Sequence, residues 1–245
     1  VLMARLHGFT KKQLKNIYQK MGLSRRLDEK MLILLKQGKS YFHIGASGHE
    51  AAQLAAATAM RPGEDWAFPY YRDAALCIGL GMTSREQLLC FLAKADDPNS
   101  GGRQMPQHYG HKDLRIVSQS SPTGTQFLQA VGCAMARKME KTKDVVYVSS
   151  GEGTTSQGDF HEALNWASNA KAPVIFHIQD NDYAISTHKS LQSADSVYAM
   201  AAGYKNLSRY DVNGTDFFET NLAIFRIERL SLPHIQIENM VYMNA

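Results

Sequence analysis

The stretch from Val145 to Tyr183 limits the fold more than any other part of the chain. It opens with Val145-Val146-Tyr147-Val148, a short continuous apolar run of the kind that parallel strands buried on both faces require. Asp159 and Glu162 stand at capping-box spacing before a helix whose apolar face is Phe160, Ala163, Leu164 and Ala167. Pro173 clears that helix for a second run, Val174 to Ile178. Strand, helix, strand in this order predicts a right-handed crossover, with both strands parallel in one sheet and their carboxyl ends on the same edge. Glu152, flanked by Gly151 and Gly153, follows the first strand and Asn181 follows the second; the roughly 30 positions between them suit one crossover helix. Ligands of open α/β sheets bind in the crevice beyond such strand ends. The expected fold is therefore α/β, a mostly parallel sheet flanked by helices, with Glu152 and Asn181 meeting at one ligand.

The rest of the chain supplies the flanking helices. Thr10 and Gln13 spell a capping box for a helix carrying Leu14, Ile17 and Met21, which Gly38 stops. His49 to Met60 is alanine-rich and ends at Arg61-Pro62-Gly63; Trp66 to Pro69 then reads as a short strand, with Tyr70, Tyr71 and Arg72 at its end. Ser84 with Gln87 predicts another helix start, and Gln126 to Lys141 a helix presenting Phe127, Val131, Ala134 and Met135. Asp96 to Thr125 shows no sustained period, and a loop of that length is functional or mobile. A chain of 245 residues suits one large domain with a helical N-terminal arm.

Charge and composition exclude several classes. The net charge of +4 comes from 27 basic and 23 acidic residues spread without a dense block, which argues against nucleic acid. Cys77, Cys90 and Cys133 lack any CxxC spacing, so neither a disulfide framework nor a zinc site is expected, and a reducing, cytoplasmic compartment is. Met31 to Leu35, the longest aliphatic run, falls well short of the ~20 residues of a membrane span. A dinucleotide fingerprint fails because Ser156 stands where glycine belongs; zinc-protease spacing fails at Gln53 and Asn165; and Gly45 to His49 lacks the last glycine of a nucleophile elbow.

A carboxylate, an amide oxygen and a backbone carbonyl are hard oxygen donors, and Mg²⁺ takes one or two carboxylates together with water and phosphate oxygens. Glu152 and Asn181 thus suit a magnesium diphosphate, with Gly151 and Gly153 letting the backbone approach the phosphates. The plain alternative, a tight glycine turn with a solvated Glu152, stays open on spacing alone.

The segments "SGHEAAQ" at 47 to 53, "YYRD" at 70 to 73, "GRQMPQHYG" at 102 to 110, "SSPTGTQ" at 120 to 126, "GEGTTSQGDFHEALN" and "YAIS" together resemble the alpha subunit of the decarboxylating component of branched-chain 2-oxo acid dehydrogenase complexes. The stretch from Glu152 to Asn181 is similar to that family's thiamine-diphosphate motif, and "GRQMPQHYG" favours branched-chain over pyruvate-type members. The resemblance implies the thiamine-diphosphate-binding fold. It makes Glu152, the Asn181 side chain and the Tyr183 carbonyl magnesium ligands, and Tyr71 and Arg72 binders of the diphosphate. Gly151, Gly153 and Thr154 would border the cofactor, Ser121 and Thr123 would face its aminopyrimidine, and Ser120, Pro122, Thr125 and Gln126 match a potassium-binding loop. His108 would contact substrate or intermediate, with plain loop hydrogen bonding as the alternative.

The implied partners are a beta subunit, or a fused beta portion, that supplies the activating glutamate in a heterotetramer, a lipoyl acyltransferase core that accepts the acyl group, and a small branched 2-oxo acid. A pyruvate dehydrogenase alpha subunit and a non-catalytic interaction subunit that has lost the cofactor are the competing readings. The sequence departs from the family pattern at several points: Glu152 replaces the motif's aspartate, Asp180-Asn181-Asp182 replaces Asn-Asn-Gly, and Gln179 stands where relatives can carry an arginine near the diphosphate. The end at Met243-Asn244-Ala245, ahead of a histidine-bearing loop of the family, leads us to expect a C-terminally incomplete chain.

Overall fold

In the computed structural model, which describes residues 8–230 and 238–244, helix α1 (Lys11–Lys36) opens the fold, and Thr10 and Gln13 cap it reciprocally as the sequence predicts. Helix α2 (Glu50–Ala59), strand β1 (Trp66–Phe68), and helices α3 (Ala74–Leu80), α4 (Ser84–Phe91) and α5 (Thr125–Met139) follow. The central unit is β2 (Val146–Gly151), α6 (Gly158–Ala170) and β3 (Val174–Asp180); beyond it lie the two-residue strands β4 (Tyr183–Ala184) and β5 (Thr187–His188), helix α7 (Val197–Met200), β6 (Leu207–Asn213), α8 (Phe217–Leu230) and β7 (Glu238–Asn244). The expected chain end at Ala245 lies outside the described residues.

Five strands form one sheet in the order β1-β2-β3-β7-β6, and every described pairing in it is parallel. The expected α/β class and the crossover from β2 to β3 are both found. Alternation along the strands explains the two-sided core. Val146, Val148, Val174, Phe176 and Ile178 pack with Phe127, Phe160 and Leu164 of α5 and α6. Tyr147 and Ile175 pack on the other face with residues of α2, α3 and α8. Each fully buried aromatic or aliphatic side chain contributes ~1.5–3 kcal/mol relative to its exposed state. Phe127, Phe160 and Phe176 have ring centroids 4.9 to 6.4 Å apart.

Several local expectations shift. The helix expected to begin with Ser84 and Gln87 is capped one residue earlier, by Thr83 and Glu86. Asp159 does not cap α6, whose N-cap is Gln157 without a side-chain bond; Asp159 lies in the first turn, where its charge faces the positive helix end. Helix α3 carried no sequence signal because six of its seven residues are buried, which leaves no polar face and hence no period. Its remaining residue, Gly79, sits where α3 crosses the alanine-rich α2 so closely that a Cβ there would lie 2.3 Å from the Cβ of Ala57.

The long loop before α5 contains no helix or strand but is packed against the core. Asp97 accepts from the backbone N–H groups of Asn99 and Ser100 at 3.1 Å each, and Gln107, His108 and Tyr109 are buried. All cysteines are free, and among the described residues no helix is long and apolar enough to cross a membrane.

Candidate active-site cleft

The parallel register pairs Gly151 with Gln179, so Glu152 and Asn181 emerge side by side at the carboxyl edge of the sheet. Glu152 opens a 3₁₀ turn running to Ser156, and the backbone N–H of Asn181 donates to Glu152 Oε2 at 3.3 Å. The opposite oxygen, Oε1, is buried without a partner, in a residue only 6% exposed. Burial raises the Glu152 carboxyl above its ordinary range and the neighbouring Asp180 adds to this, while backbone N–H groups and Lys189 pull it down. A buried carboxylate with one orphaned oxygen, in a residue that lines a cleft, is the arrangement a hard cation relieves.

Two neighbours complete that edge. The Asn181 Oδ1 accepts the Tyr183 N–H at 3.2 Å, which folds the side chain back toward the start of β4. Asp182 holds a left-handed φ of 70°, the conformation a glycine would take there and one that aspartate tolerates better than most residues. Lys189 clamps this turn, with Nζ 2.9 Å from Asp180 Oδ2 and 2.6 Å from Asp182 Oδ1. Neither Gly151 nor Gly153 takes a positive φ; Gly151 precedes a 3₁₀ turn and Gly153 lies in it, but Glu152 between them is buried rather than solvated. Gly153 is required by packing: a Cβ there would sit 2.6 Å from the Cβ of Ala184 on β4.

The basic side of the cleft comes from the turn after β1. The Arg72 guanidinium donates to the Gly45 carbonyl and lies over the Tyr71 ring at 5.4 Å, and none of its described contacts is a carboxylate. It is therefore not an ordinary surface ion pair. Tyr70, beside it, has a buried hydroxyl with no partner. The loop carrying Gly45 is fixed by Asp28, which accepts from the Ala46 N–H at 3.1 Å, the Ser47 hydroxyl at 2.6 Å and His43 Nε2 at 3.1 Å. Burial alone would raise the Asp28 carboxyl, but these hydrogen bonds outweigh it and bring it down to about 2.

From the long loop, His108 is 5% exposed. Its Nδ1 lies 3.2 Å from the Pro106 carbonyl, which can only accept, so Nδ1 carries the proton and Nε2 accepts from the Ser121 hydroxyl at 2.9 Å. Behind this lip, Thr125 Oγ1 donates to the Pro122 carbonyl at 2.7 Å and contacts the Ser120 hydroxyl, which gathers three of the four residues expected around potassium. The Gln126 side chain is engaged elsewhere, accepting from Gly124 N and donating to the Ser149 carbonyl at 3.1 Å each.

One cleft of about 560 Å³ brings these groups together. Tyr71, Arg72, His108, Ser121, Thr123, Gly151, Glu152, Gly153, Thr154, Asn181 and Tyr183 all line it, whereas Ser120, Pro122, Thr125 and Gln126 do not. Phe42, Ile44, Tyr70, Met105, Ala184 and Ile185 also line it, and sequence reading missed them as site residues. Phe42 and Ile44 lie outside every motif, while Tyr70 in "YYRD", Met105 in "GRQMPQHYG" and Ala184 and Ile185 in "YAIS" stood inside motifs without being assigned to the site. No group of three or more metal-binding His, Cys, Asp or Glu side chains occurs among the described residues, and the oxygen set at Glu152 is of the kind that suits magnesium rather than zinc.

Residues 18–226 match the family described as Dehydrogenase E1 component. The chain belongs to that family. Among its relatives, the 2-oxoisovalerate dehydrogenase subunit alpha of Bacillus subtilis (strain 168) is 44% identical over 218 residues, covering 89% of this chain and 66% of the relative. The mitochondrial 2-oxoisovalerate dehydrogenase subunit alpha 1 of Arabidopsis thaliana is 34% identical, covering 92% of this chain and 48% of the relative. The pyruvate dehydrogenase E1 component subunit alpha of Staphylococcus aureus is 35% identical, covering 84% of this chain and 53% of the relative. The chain thus spans between about half and two thirds of the length of these E1 relatives.

Proposed function

We propose that this chain is the alpha part of a thiamine-diphosphate-dependent 2-oxo acid dehydrogenase component that oxidatively decarboxylates branched-chain 2-oxo acids. The observation that carries the reading is the buried, unpaired Glu152 oxygen in the same cleft as the Arg72 guanidinium, a cation-seeking and an anion-seeking group within one cavity. Thiamine diphosphate bound there supplies the nucleophilic carbon and the electron sink that loss of CO₂ from a 2-oxo acid needs. The Glu152 carboxylate, the Asn181 amide oxygen and the Tyr183 carbonyl would hold Mg²⁺, while the Arg72 fork and Tyr71 hold the diphosphate and Thr154 with its glycine neighbours borders it. Ser121 and Thr123 would orient the aminopyrimidine. His108 would contact substrate or intermediate, and its Nε2 would take or return a proton there by giving up the Ser121 hydroxyl it now faces at 2.9 Å.

Ser120, Pro122 and Thr125 are proposed to hold K⁺ and so brace the turn carrying Ser121 and Thr123; Gln126 joins them only through its main chain or by leaving Gly124 and Ser149. The partners proposed are a beta subunit or fused beta portion, which completes the site, and a lipoyl acyltransferase core, which receives the acyl group. The branched-chain substrate rests on "GRQMPQHYG" and on the higher identity to the Bacillus 2-oxoisovalerate relative than to the pyruvate one. The test is titration of the full-length chain, assembled with its beta partner, with thiamine diphosphate in the presence and absence of Mg²⁺, followed by fluorescence quenching. Magnesium-dependent binding that Glu152→Ala abolishes is expected. Equal binding with and without magnesium, or by the variant, would overturn the reading.

A further inference from the structure

Gln179 lies in β3 opposite Gly151, two positions before Asn181, and is completely buried. Its side chain does not reach the cleft. Oε1 accepts from His49 Nδ1 at 2.9 Å and from Gln53 Nε2 at 3.0 Å, and Nε2 donates to Asp73 Oδ1 at 2.8 Å. Two of these three partners, Gln53 and Asp73, lead to the Arg72 turn. Gln53, also completely buried, donates to the Arg72 carbonyl at 3.1 Å and accepts from the Ala75 N–H at 3.1 Å. Asp73, equally buried, accepts from the Tyr70 N–H at 3.1 Å and from the Ser149 hydroxyl on β2.

The arrangement leaves no freedom in the amide. An acceptor oxygen must face the His49 and Gln53 donors and a donor nitrogen must face the Asp73 carboxylate, so Gln179 has one orientation and His49 carries its proton on Nδ1. Two amides, an imidazole and a carboxyl meet here without solvent. Apolar side chains of the same volume would fill this space at less cost in desolvation, so burial alone gives no reason for the network. What it does is mechanical: the backbone of Gln179 is fixed by strand pairing beside the Glu152 turn, while its side chain is fixed to the backbone around Arg72.

We propose that Gln179 is a positioning residue that ties the Arg72 turn to the ends of β2 and β3, and so sets the span between the diphosphate-holding and metal-holding sides of the cleft. This rests on the function proposed above. An arginine at this position would bring a charge; the glutamine instead turns inward and acts through Arg72.

The test is a double-mutant cycle in the full-length chain assembled with its beta partner, with magnesium-dependent thiamine diphosphate binding as the readout. Gln179→Met keeps length and burial and removes every hydrogen bond. It is expected to weaken binding by about tenfold when Arg72 is present and by less than about twofold in an Arg72→Ala background, since coupled residues in one network do not add. Should Gln179→Met fail to fold, Gln53→Met, which cuts the tie to the Arg72 carbonyl, takes its place in the same cycle with the same expectation. An equal loss in both backgrounds would overturn the positioning role and leave the cofactor assignment standing. If Arg72→Ala alone left binding unchanged, the diphosphate-holding role of Arg72 and with it the positioning role would fall, whereas a parent protein without magnesium-dependent binding would overturn the cofactor assignment, which separates the two claims.

Discussion

Replacing Glu152 by glutamine should change the sign of its effect on stability according to whether cofactor is present. In the unliganded protein the variant removes a negative charge whose Oε1 has no partner, in a residue only 6% exposed. Glutamine keeps an oxygen for the Asn181 N–H now at 3.3 Å from Oε2, and puts an uncharged NH₂ group in the place of the buried Oε1. An unpaired buried polar group costs ~1–3 kcal/mol, more when charged, so relief of that order is expected at neutral pH. For a chain of this size ~1 kcal/mol corresponds to about 2–4 °C in melting temperature. Glu152→Gln should therefore melt about 2 to 12 °C above the parent without ligand. With thiamine diphosphate and magnesium each in roughly thousandfold excess over Kd, the parent gains ~4.1 kcal/mol, more than the variant's lead, and the variant, lacking its charged metal ligand, should gain little. The order of the two melting curves, read by differential scanning calorimetry, should invert. Parallel shifts of both proteins on adding ligand, or a variant less stable without it, would refute the reasoning.

Further outcomes follow from other contacts. Arg72→Lys keeps the charge but loses the planar fork and should weaken diphosphate binding by ~1–3 kcal/mol in a calorimetric titration; a far smaller loss would put Arg72 outside the site. Gly153→Ala forces a Cβ to within 2.6 Å of Ala184 and should displace the β4–β5 hairpin, costing ~1–3 kcal/mol in urea unfolding and weakening cofactor binding; an unchanged midpoint would contradict the close approach. Burial, with His49 nearby, pushes the His177 imidazole down to about 3. Its folded value lies below the unfolded one, so it opposes protonation and stability falls by ~1.4 kcal/mol per unit as pH drops below ~6.5 toward 3. His177→Phe should start less stable at pH ~8, because Tyr147 loses one of its hydrogen-bond partners, yet lose less on acidification; an acid limb as steep as the parent's would exclude His177 as its source.

The crossover from β2 to β3 was legible because both strands are buried on two faces and announce themselves as apolar runs, with a periodic helix between them. That alone fixed the edge where Glu152 and Asn181 emerge. Helix α3 was not legible, since a short helix buried all round has no polar face to set a period. The strands β4, β5 and β6 were missed for a related reason: β4 and β5 are two residues each, and β6, with one buried residue among its seven, lies at the sheet edge without a continuous apolar run. Within the site, charged and glycine-flanked residues could be read in advance, but Phe42 and Ile44 belong to the cleft only through tertiary packing. The inward turn of Gln179 depends on His49, Gln53 and Asp73, each more than 100 positions away in the chain, and no local pattern records it.

The most direct measurement is a structure of the full-length chain with its beta partner, grown with thiamine diphosphate and Mn²⁺ in place of Mg²⁺, so that anomalous scattering locates the metal. The account predicts one strong peak within ~2.0–2.3 Å of a Glu152 oxygen, the Asn181 amide oxygen and the Tyr183 carbonyl, with the diphosphate beside Arg72. A metal ligated elsewhere, or a diphosphate bound away from Arg72 and the Glu152 turn, would contradict it.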